Sequence, residues 1–310
     1  MEIILAEPRG FCAGVRRAIE IVEKAILKYG TPIYVKHEIV HNKFVIESLK
    51  SKGVIFTDDL TEIPNGSILI YSAHGVSNAI EEQALHLKMI SIDATCPLVK
   101  KVHKEVIAYE EKDFEIFLIG HKNHPELEGT QGKLKNPSIA TIIETAEDAK
   151  TVMPKNPEKI AIATQTTLSL DDTREIIEIL TSRFPALKEN TKNDICYATQ
   201  NRQDAVKTLI ETGIDGLIVV GAANSSNSSR LNGIGLRKNI VSFLVNDASE
   251  INFEAIKNLK KIGITAGASA PEILVEGVIN FFKSKTSDLT ISLMDGVKED
   301  TVFFLPKELR

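Results

Sequence analysis

The chain has 310 residues, of which 43% are hydrophobic, 25% charged and only 5% aromatic, which suits two or three folded domains and excludes a disordered polymer. No apolar run approaches the roughly 18 residues of a membrane span, and the start MEIILAEPRG lacks the basic and apolar segments of a signal peptide, so a cytoplasmic protein with no membrane partner is expected. With 37 basic against 42 acidic residues, a net charge of −5 and no basic run interleaved with aromatics, nucleic acid is not expected as a partner either.

From the N-terminus, β-branched runs alternate with helical patterns. EIILAE at 2–7 reads as a strand and leads to Cys12; the next segment places Ile19, Val22, Ala25 and Ile26 on one helical face and stops at Gly30, a suitable C-cap. PIYVK at 32–36 runs toward His41, ILIYSA at 68–73 into His74-Gly75, and MISIDA at 89–94 into Cys96. Pro97 suits the first position of a helix carrying Leu98, Val102 and Val106. EIFLIG at 115–120 leads through His124 to Glu126, SIATII at 138–143 follows, and KIAIAT at 159–164 runs into Thr166-Thr167. Beyond Cys196 come GLIVVG at 216–221, leading to Ser225-Ser226-Asn227, then IVSFLV at 240–245, and KIGITAG at 261–267, leading to Ser269. The rhythm predicts an α/β fold with mostly parallel sheets. The alternating stretch 289–306 predicts a strand, a turn and a second strand.

Each of these strands ends in small or hydrogen-bonding residues followed by a helix, which is where open α/β sheets bind ligands. Read in order, the strand ends carry His41, His74 and Cys96; then His124, Thr167 and Cys196; then Ser225, Ser269 and, if the chain returns to its own start, Cys12. The expectation is three pseudo-threefold-related α/β lobes around a central site. Their boundaries fall at 14–96, at 97–196, and at 197–283 together with the N-terminal strand 1–13; residues 284–310 form a tail.

A single cysteine at a strand-to-helix junction is an ordinary buried thiol. Three at equivalent places suggest converging soft ligands, fit for iron and sulfide or for zinc with a fourth ligand. A four-iron cluster held by only three cysteines leaves one iron open to a substrate. The strand-end histidines His41, His74 and His124, with Thr167, Ser225, Asn227 and Ser269, suit an anionic, phosphate-bearing ligand; as N-caps alone the hydroxyl and amide residues would be unremarkable. His37, His86, His103 and His121 read as surface or structural. Glu126 at a helix start ordinarily complements the helix dipole, but in a closed apolar site it becomes a candidate proton donor. Nucleotide-binding glycine motifs are absent from the sequence.

The segments AEPRGFCAGVRRAI, KHEIVHN, SAHGVS, DATCPLV, GHKNHPELEGTQGK, ATQTTLS, NDICYATQNRQ, VVGAANSSNSSRL and TAGASAPEILV together resemble the 4-hydroxy-3-methylbut-2-enyl diphosphate reductase family. The resemblance implies a three-lobed fold around one 4Fe-4S cluster held by Cys12, Cys96 and Cys196 with one open iron. It also implies substrate binding by His41, His74, His124, Thr167, Ser225, Ser226, Asn227 and Ser269, and proton donation by Glu126. The implied reaction is reductive dehydroxylation of an allylic diphosphate, with ferredoxin or flavodoxin as electron donor. Two rival readings are a quinolinate synthase-like iron-sulfur enzyme, which needs cationic or amide groups for carboxylates, and a non-enzymatic cluster sensor, which needs a partner or DNA surface.

Overall fold

The computed structural model describes residues 1–188 and 194–310. The chain opens with β1 (Glu2–Leu5), α1 (Ala13–Tyr29), β2 (Ile33–Lys36), α2 (Lys43–Ser51), β3 (Val54–Thr57), β4 (Ile68–Tyr71), α3 (Asn78–His86) and β5 (Ile90–Asp93). It continues through α4 (Pro97–Glu110), β6 (Glu115–Ile119), α5 (Pro125–Gln131), β7 (Ala140–Ile143), α6 (Ala146–Thr151), β8 (Ile160–Thr164) and α7 (Leu170–Arg183). The last part holds α8 (Tyr197–Glu211), β9 (Gly216–Val220), α9 (Ser226–Arg237), β10 (Val241–Val245), α10 (Phe253–Ile256), β11 (Lys261–Ala266), α11 (Glu272–Lys285) and β12 (Thr290–Leu293).

These elements form two compact units. Unit 1 comprises Met1–Val15, His41–Glu47 and Tyr197–Val302; unit 2 comprises Arg16–Val40, Ser48–Cys196 and Phe303–Arg310. Unit 1 contains a sheet of order β10-β9-β11-β1-β12, and unit 2 contains sheets of order β3-β2-β4-β5 and β7-β6-β8. All pairings between these strands are parallel. Lys188 extends the last sheet by a parallel bridge to Ala161. The same order therefore recurs: second strand, first, third, then the segment that leads to a cysteine.

Parallel strands covered on both faces read as continuous apolar runs, and every residue of β8 and β9 is buried. Successive residues still point to opposite faces. In unit 1, Ile218, Val220, Ile262 and Ile264 pack with Val275, Val278 and Phe282 of α11, while Leu217 and Val219 pack with Val206 and Leu209 of α8 and Leu231 of α9. In unit 2, Ile116 and Leu118 meet Val102 and Val106 of α4, while Phe117 and Ile119 share a cluster with Ile176 and Leu180 of α7.

The helix signals hold in detail: α1 stops before Gly30, whose φ is +75°, and α4 begins with Pro97. Two features differ from expectation. The strand β3 has no place among the predicted runs; of its four residues only Val54 is buried. The tail forms β12, paired to β1 with Glu2 opposite Thr290, but residues 294–306 contain no second strand. Beyond β12, Gly296 lies against the Glu7 carbonyl, and the chain is held by side chains: Arg202 grips the Glu299 carboxylate in unit 1, and Arg17 takes the Phe304 carbonyl in unit 2. Among the described residues no helix is long and apolar enough to cross a membrane.

Candidate active site

Each of the three cysteines immediately precedes a helix, α1, α4 or α8. Their backbone N–H groups are tied alike: Cys12 donates to the Ala268 carbonyl at 3.2 Å, Cys96 to Ala73 at 3.0 Å and Cys196 to Thr166 at 3.0 Å. Each acceptor stands two residues beyond a strand end, after β11, β4 and β8 respectively. None of the three is joined in a disulfide, and all are partly exposed. The equivalence that the sequence suggested is thus present in the hydrogen bonding within each unit.

In unit 2, His124 caps α5, and its Nδ1 accepts the Glu126 N–H at 3.1 Å. A neutral imidazole with an accepting Nδ1 carries its proton on Nε2, so His124 presents a donor. Glu126 is only 3% exposed. Its carboxylate accepts from the Thr166 N–H at 2.6 Å and from the Thr166 hydroxyl at 3.0 Å. Burial pushes this carboxyl up to about 7, with nearby Asp194 acting in the same direction and the Thr166 hydrogen bonds opposing it. One residue, Thr166, therefore holds the acid with its N–H and hydroxyl and the Cys196 peptide with its carbonyl.

Unit 1 repeats the arrangement with neutral groups. Ser225 caps α9, and its hydroxyl accepts from the Ser228 N–H. Asn227 stands two residues beyond this cap, as Glu126 does beyond His124. Its Oδ1 accepts from the Ala268 N–H at 2.9 Å, and Ala268 is the residue whose carbonyl takes the Cys12 N–H. Its Nδ2 is buried with no hydrogen-bond partner among the described residues; such a donor is expensive to leave unmet, and an anionic ligand would satisfy it. The Ser269 hydroxyl donates to the His41 carbonyl at 2.9 Å, and Asn224 Nδ2 lies 3.5 Å from His41 Nδ1. Ser226 is the first, half-buried residue of α9.

The structure thus groups His74, His124, Glu126, Thr167, Cys96 and Cys196 in unit 2, and Cys12, His41, Ser225, Ser226, Asn227 and Ser269 in unit 1. The His74 ring meets His124 edge to face at 5.8 Å between centroids. The residue after His74 is glycine for a steric reason: Gly75 has φ +82°, and a Cβ there would lie 2.6 Å from His103 Cε1. His103 is structural, buried beneath this turn, and burial pulls its imidazole down to about 4. The Thr167 hydroxyl accepts from Gln165 Nε2 at 2.9 Å. A cavity of about 490 Å³ in unit 2 is lined by residues adjoining His74 and His124, among them Ser72, Gly75, Asn123 and Pro125, and also by Lys36 and His37.

The residues that sequence reasoning missed are Thr166, Gln165 and Asn224, which hold Glu126, Thr167 and His41. Their only signal was the density of hydrogen-bonding residues in ATQTT and AANSSNSS.

The Glu126 shift has a consequence for stability. A folded carboxyl at about 7, against an ordinary 4.5, keeps a proton that the unfolded chain has already lost between those two pH values. Stability therefore falls as pH rises through this window and levels off above it. In urea unfolding of cluster-free protein at pH 4.5 and pH 8, wild type is expected to lose about 3 kcal/mol more than Glu126→Gln. Equal losses would show that burial does not hold the proton.

The LytB protein family model matches residues 3–283. A 4-hydroxy-3-methylbut-2-enyl diphosphate reductase of Ruthia magnifica subsp. Calyptogena magnifica is 50% identical over 310 residues, covering 100% of both chains. Its namesake from Neisseria gonorrhoeae (strain ATCC 700825 / FA 1090) is 50% identical over 308 residues, 99% of this chain and 95% of the relative. Among solved structures, the E-1-hydroxy-2-methyl-but-2-enyl-4-diphosphate reductase from Plasmodium falciparum superimposes with a TM-score of 0.95 at 40% identity, covering 100% of this chain and 96% of that one. A second, titled the terminal enzyme of the non-mevalonate pathway, gives 0.65 at 33% identity over 91% of this chain and 99% of that one. Likeness of this extent, over the segments that carry the cysteines and the acid, means that the chain belongs to the LytB protein family.

Proposed function

We propose that this protein reductively removes the allylic hydroxyl of 4-hydroxy-3-methylbut-2-enyl diphosphate, giving isopentenyl and dimethylallyl diphosphate as the final step of the non-mevalonate pathway. Two electrons and two protons enter, the C–O bond breaks, a C–H bond forms and water leaves. The observation that carries this reading is the double role of Thr166, which fastens a buried, protonatable Glu126 and the Cys196 peptide through one residue.

Cys12, Cys96 and Cys196 fit as the holders of one 4Fe-4S cluster, because they are reduced, part-exposed soft donors on three loops with the same backbone anchoring. When bound, such a cluster supplies electrons singly and an open iron for the hydroxyl. The protein's own residues do the rest. His124 Nε2 and Asn227 Nδ2 donate to the diphosphate together with His41, His74, Ser225, Ser226 and Ser269, Thr167 contacts the substrate, and Glu126 supplies the proton that departs in water. The repeated strand order supports three lobes with boundaries near residues 96 and 196 and the N-terminal strand in the third. Electrons come from ferredoxin or flavodoxin in the cytoplasm.

The test is anaerobic purification, iron and sulfide analysis, and an assay with a reduced one-electron dye and the hydroxylated diphosphate. Formation of both products supports the reading. Cluster-loaded protein that forms neither overturns it.

A further inference from the structure

We infer that Arg17, Lys101 and Arg202 are positioning residues for the three cysteine loops, each standing on the helix that follows one cysteine and gripping the residues just ahead of the next. Arg17, five residues beyond Cys12 on α1, donates through Nη1 to the carbonyls of Ala94 at 3.2 Å and Thr95 at 3.1 Å, directly before Cys96. Lys101, five residues beyond Cys96 on α4, places its ammonium 3.2 Å from Oδ1 of Asp194, two residues before Cys196. The other oxygen of Asp194 accepts the Thr164 N–H at 3.1 Å, so the grip reaches the end of β8. Arg202, six residues beyond Cys196 on α8, donates through Nε and Nη2 to the Gly10 carbonyl at 3.0 and 2.7 Å, two residues before Cys12. The three contacts thus form a cycle in sequence: the helix after each cysteine secures the approach to the next.

Packing alone does not explain these residues. Arg17 is 6% exposed and Arg202 1% exposed, and a buried guanidinium is unfavourable unless its donors are met, so an apolar residue would fill the space more readily. What the guanidinium adds is a planar fork that fixes several acceptors at once. Besides Asp93 and Ala198, whose carbonyls accept from Arg17 Nη2 and Arg202 Nη1, both arginines reach the C-terminal tail. Arg17 Nε donates to the Phe304 carbonyl at 2.8 Å, and Arg202 meets both oxygens of Glu299 at 3.0 and 3.2 Å. The tail therefore completes the hydrogen bonding of the same groups that hold the cysteine loops.

The inference rests on the proposed cluster and concerns how firmly it is kept, since a ligand loop free to shift releases its thiolate sooner. Anaerobically loaded Arg17→Met, Lys101→Met and Arg202→Met, with Arg17→Lys and Arg202→Lys, would be exposed to an iron chelator while the cluster absorption is followed. Core variants Leu180→Ala and Phe282→Leu serve as controls, and thermal midpoints of all the cluster-free proteins provide the scale of general destabilisation. Cluster loss at least tenfold faster than in a core variant of equal midpoint is expected for the Met variants, with the Lys variants of the arginines intermediate. Loss rates that simply follow the midpoints of the core variants would overturn the inference. Should an arginine variant fail to fold, Lys101→Met, whose side chain is 38% exposed in wild type, and the Lys variants decide the matter on the same comparison. A wild-type chain that holds no iron under loading conditions overturns the cluster reading itself, and this inference with it.

Discussion

Glu126→Gln is expected to slow turnover by roughly 100-fold or more while substrate still binds, the scale that a general acid contributes. The amide keeps the shape of the carboxyl and an oxygen to accept the Thr166 N–H, and the Thr166 hydroxyl can turn to accept from the new NH₂. What it loses is the proton. With Glu126 as the proposed proton donor the acid form would be the active one, so the wild-type rate is expected to fall as pH rises above about 7, and this limb should vanish from the residual activity of the variant. Single-turnover rates across pH, with substrate affinity measured by calorimetry, separate the two effects. A variant that matched wild type at each pH would remove Glu126 from the mechanism.

Cys12→Ser, Cys96→Ser and Cys196→Ser should each lose the charge-transfer absorption and nearly all activity. The loss should be local. Serine retains the N–H that donates to Ala268, Ala73 or Thr166, so the backbone of each loop keeps its anchor and circular dichroism should be unchanged. A hydroxyl is a hard, reluctantly ionised donor and a poor substitute for thiolate on iron. In the proposed 4Fe-4S cluster, two remaining cysteines would leave half of the four irons without a protein ligand. Iron content and visible absorption after anaerobic loading give the answer directly. If one variant kept normal iron and a normal rate, that cysteine would lie outside the shared cluster.

The elements legible in the sequence were those whose signals are local. Gly30 and Pro97 marked helix ends through backbone geometry that only those residues favour, and the apolar runs of β8 and β9 marked strands covered on both faces. The cysteines were legible as a set because each stands at the same kind of junction. The partners of Glu126 were not. Thr166 and Thr167 are adjacent and chemically alike, and only the direction in which the chain leaves β8 turns the first toward the carboxyl while the second accepts from Gln165. Arg17 and Arg202 carried no signal either, since each sits on an amphipathic helix where a basic residue ordinarily faces water. Their burial depends on carbonyls supplied from distant stretches of chain, as does the failure of residues 294–306 to form a strand.

The place of β1 between β11 and β12 bears on the order of events during synthesis. A ribosome adds roughly 5–20 residues each second, and β1 emerges long before either strand that will flank it. Until residues 261–266 exist, β1 has no parallel neighbour in its sheet, and until Ala268 is made the Cys12 peptide has no acceptor. Pairings of such great sequence separation form slowly. Unit 2 has a different schedule, because β4, β5 and Cys96 come off the ribosome together and can pair while the chain is still growing. The thiol at the start of the chain is thus the one left longest in an unstructured segment, and loading of the proposed cluster on all three cysteines would wait until the nascent chain is almost complete.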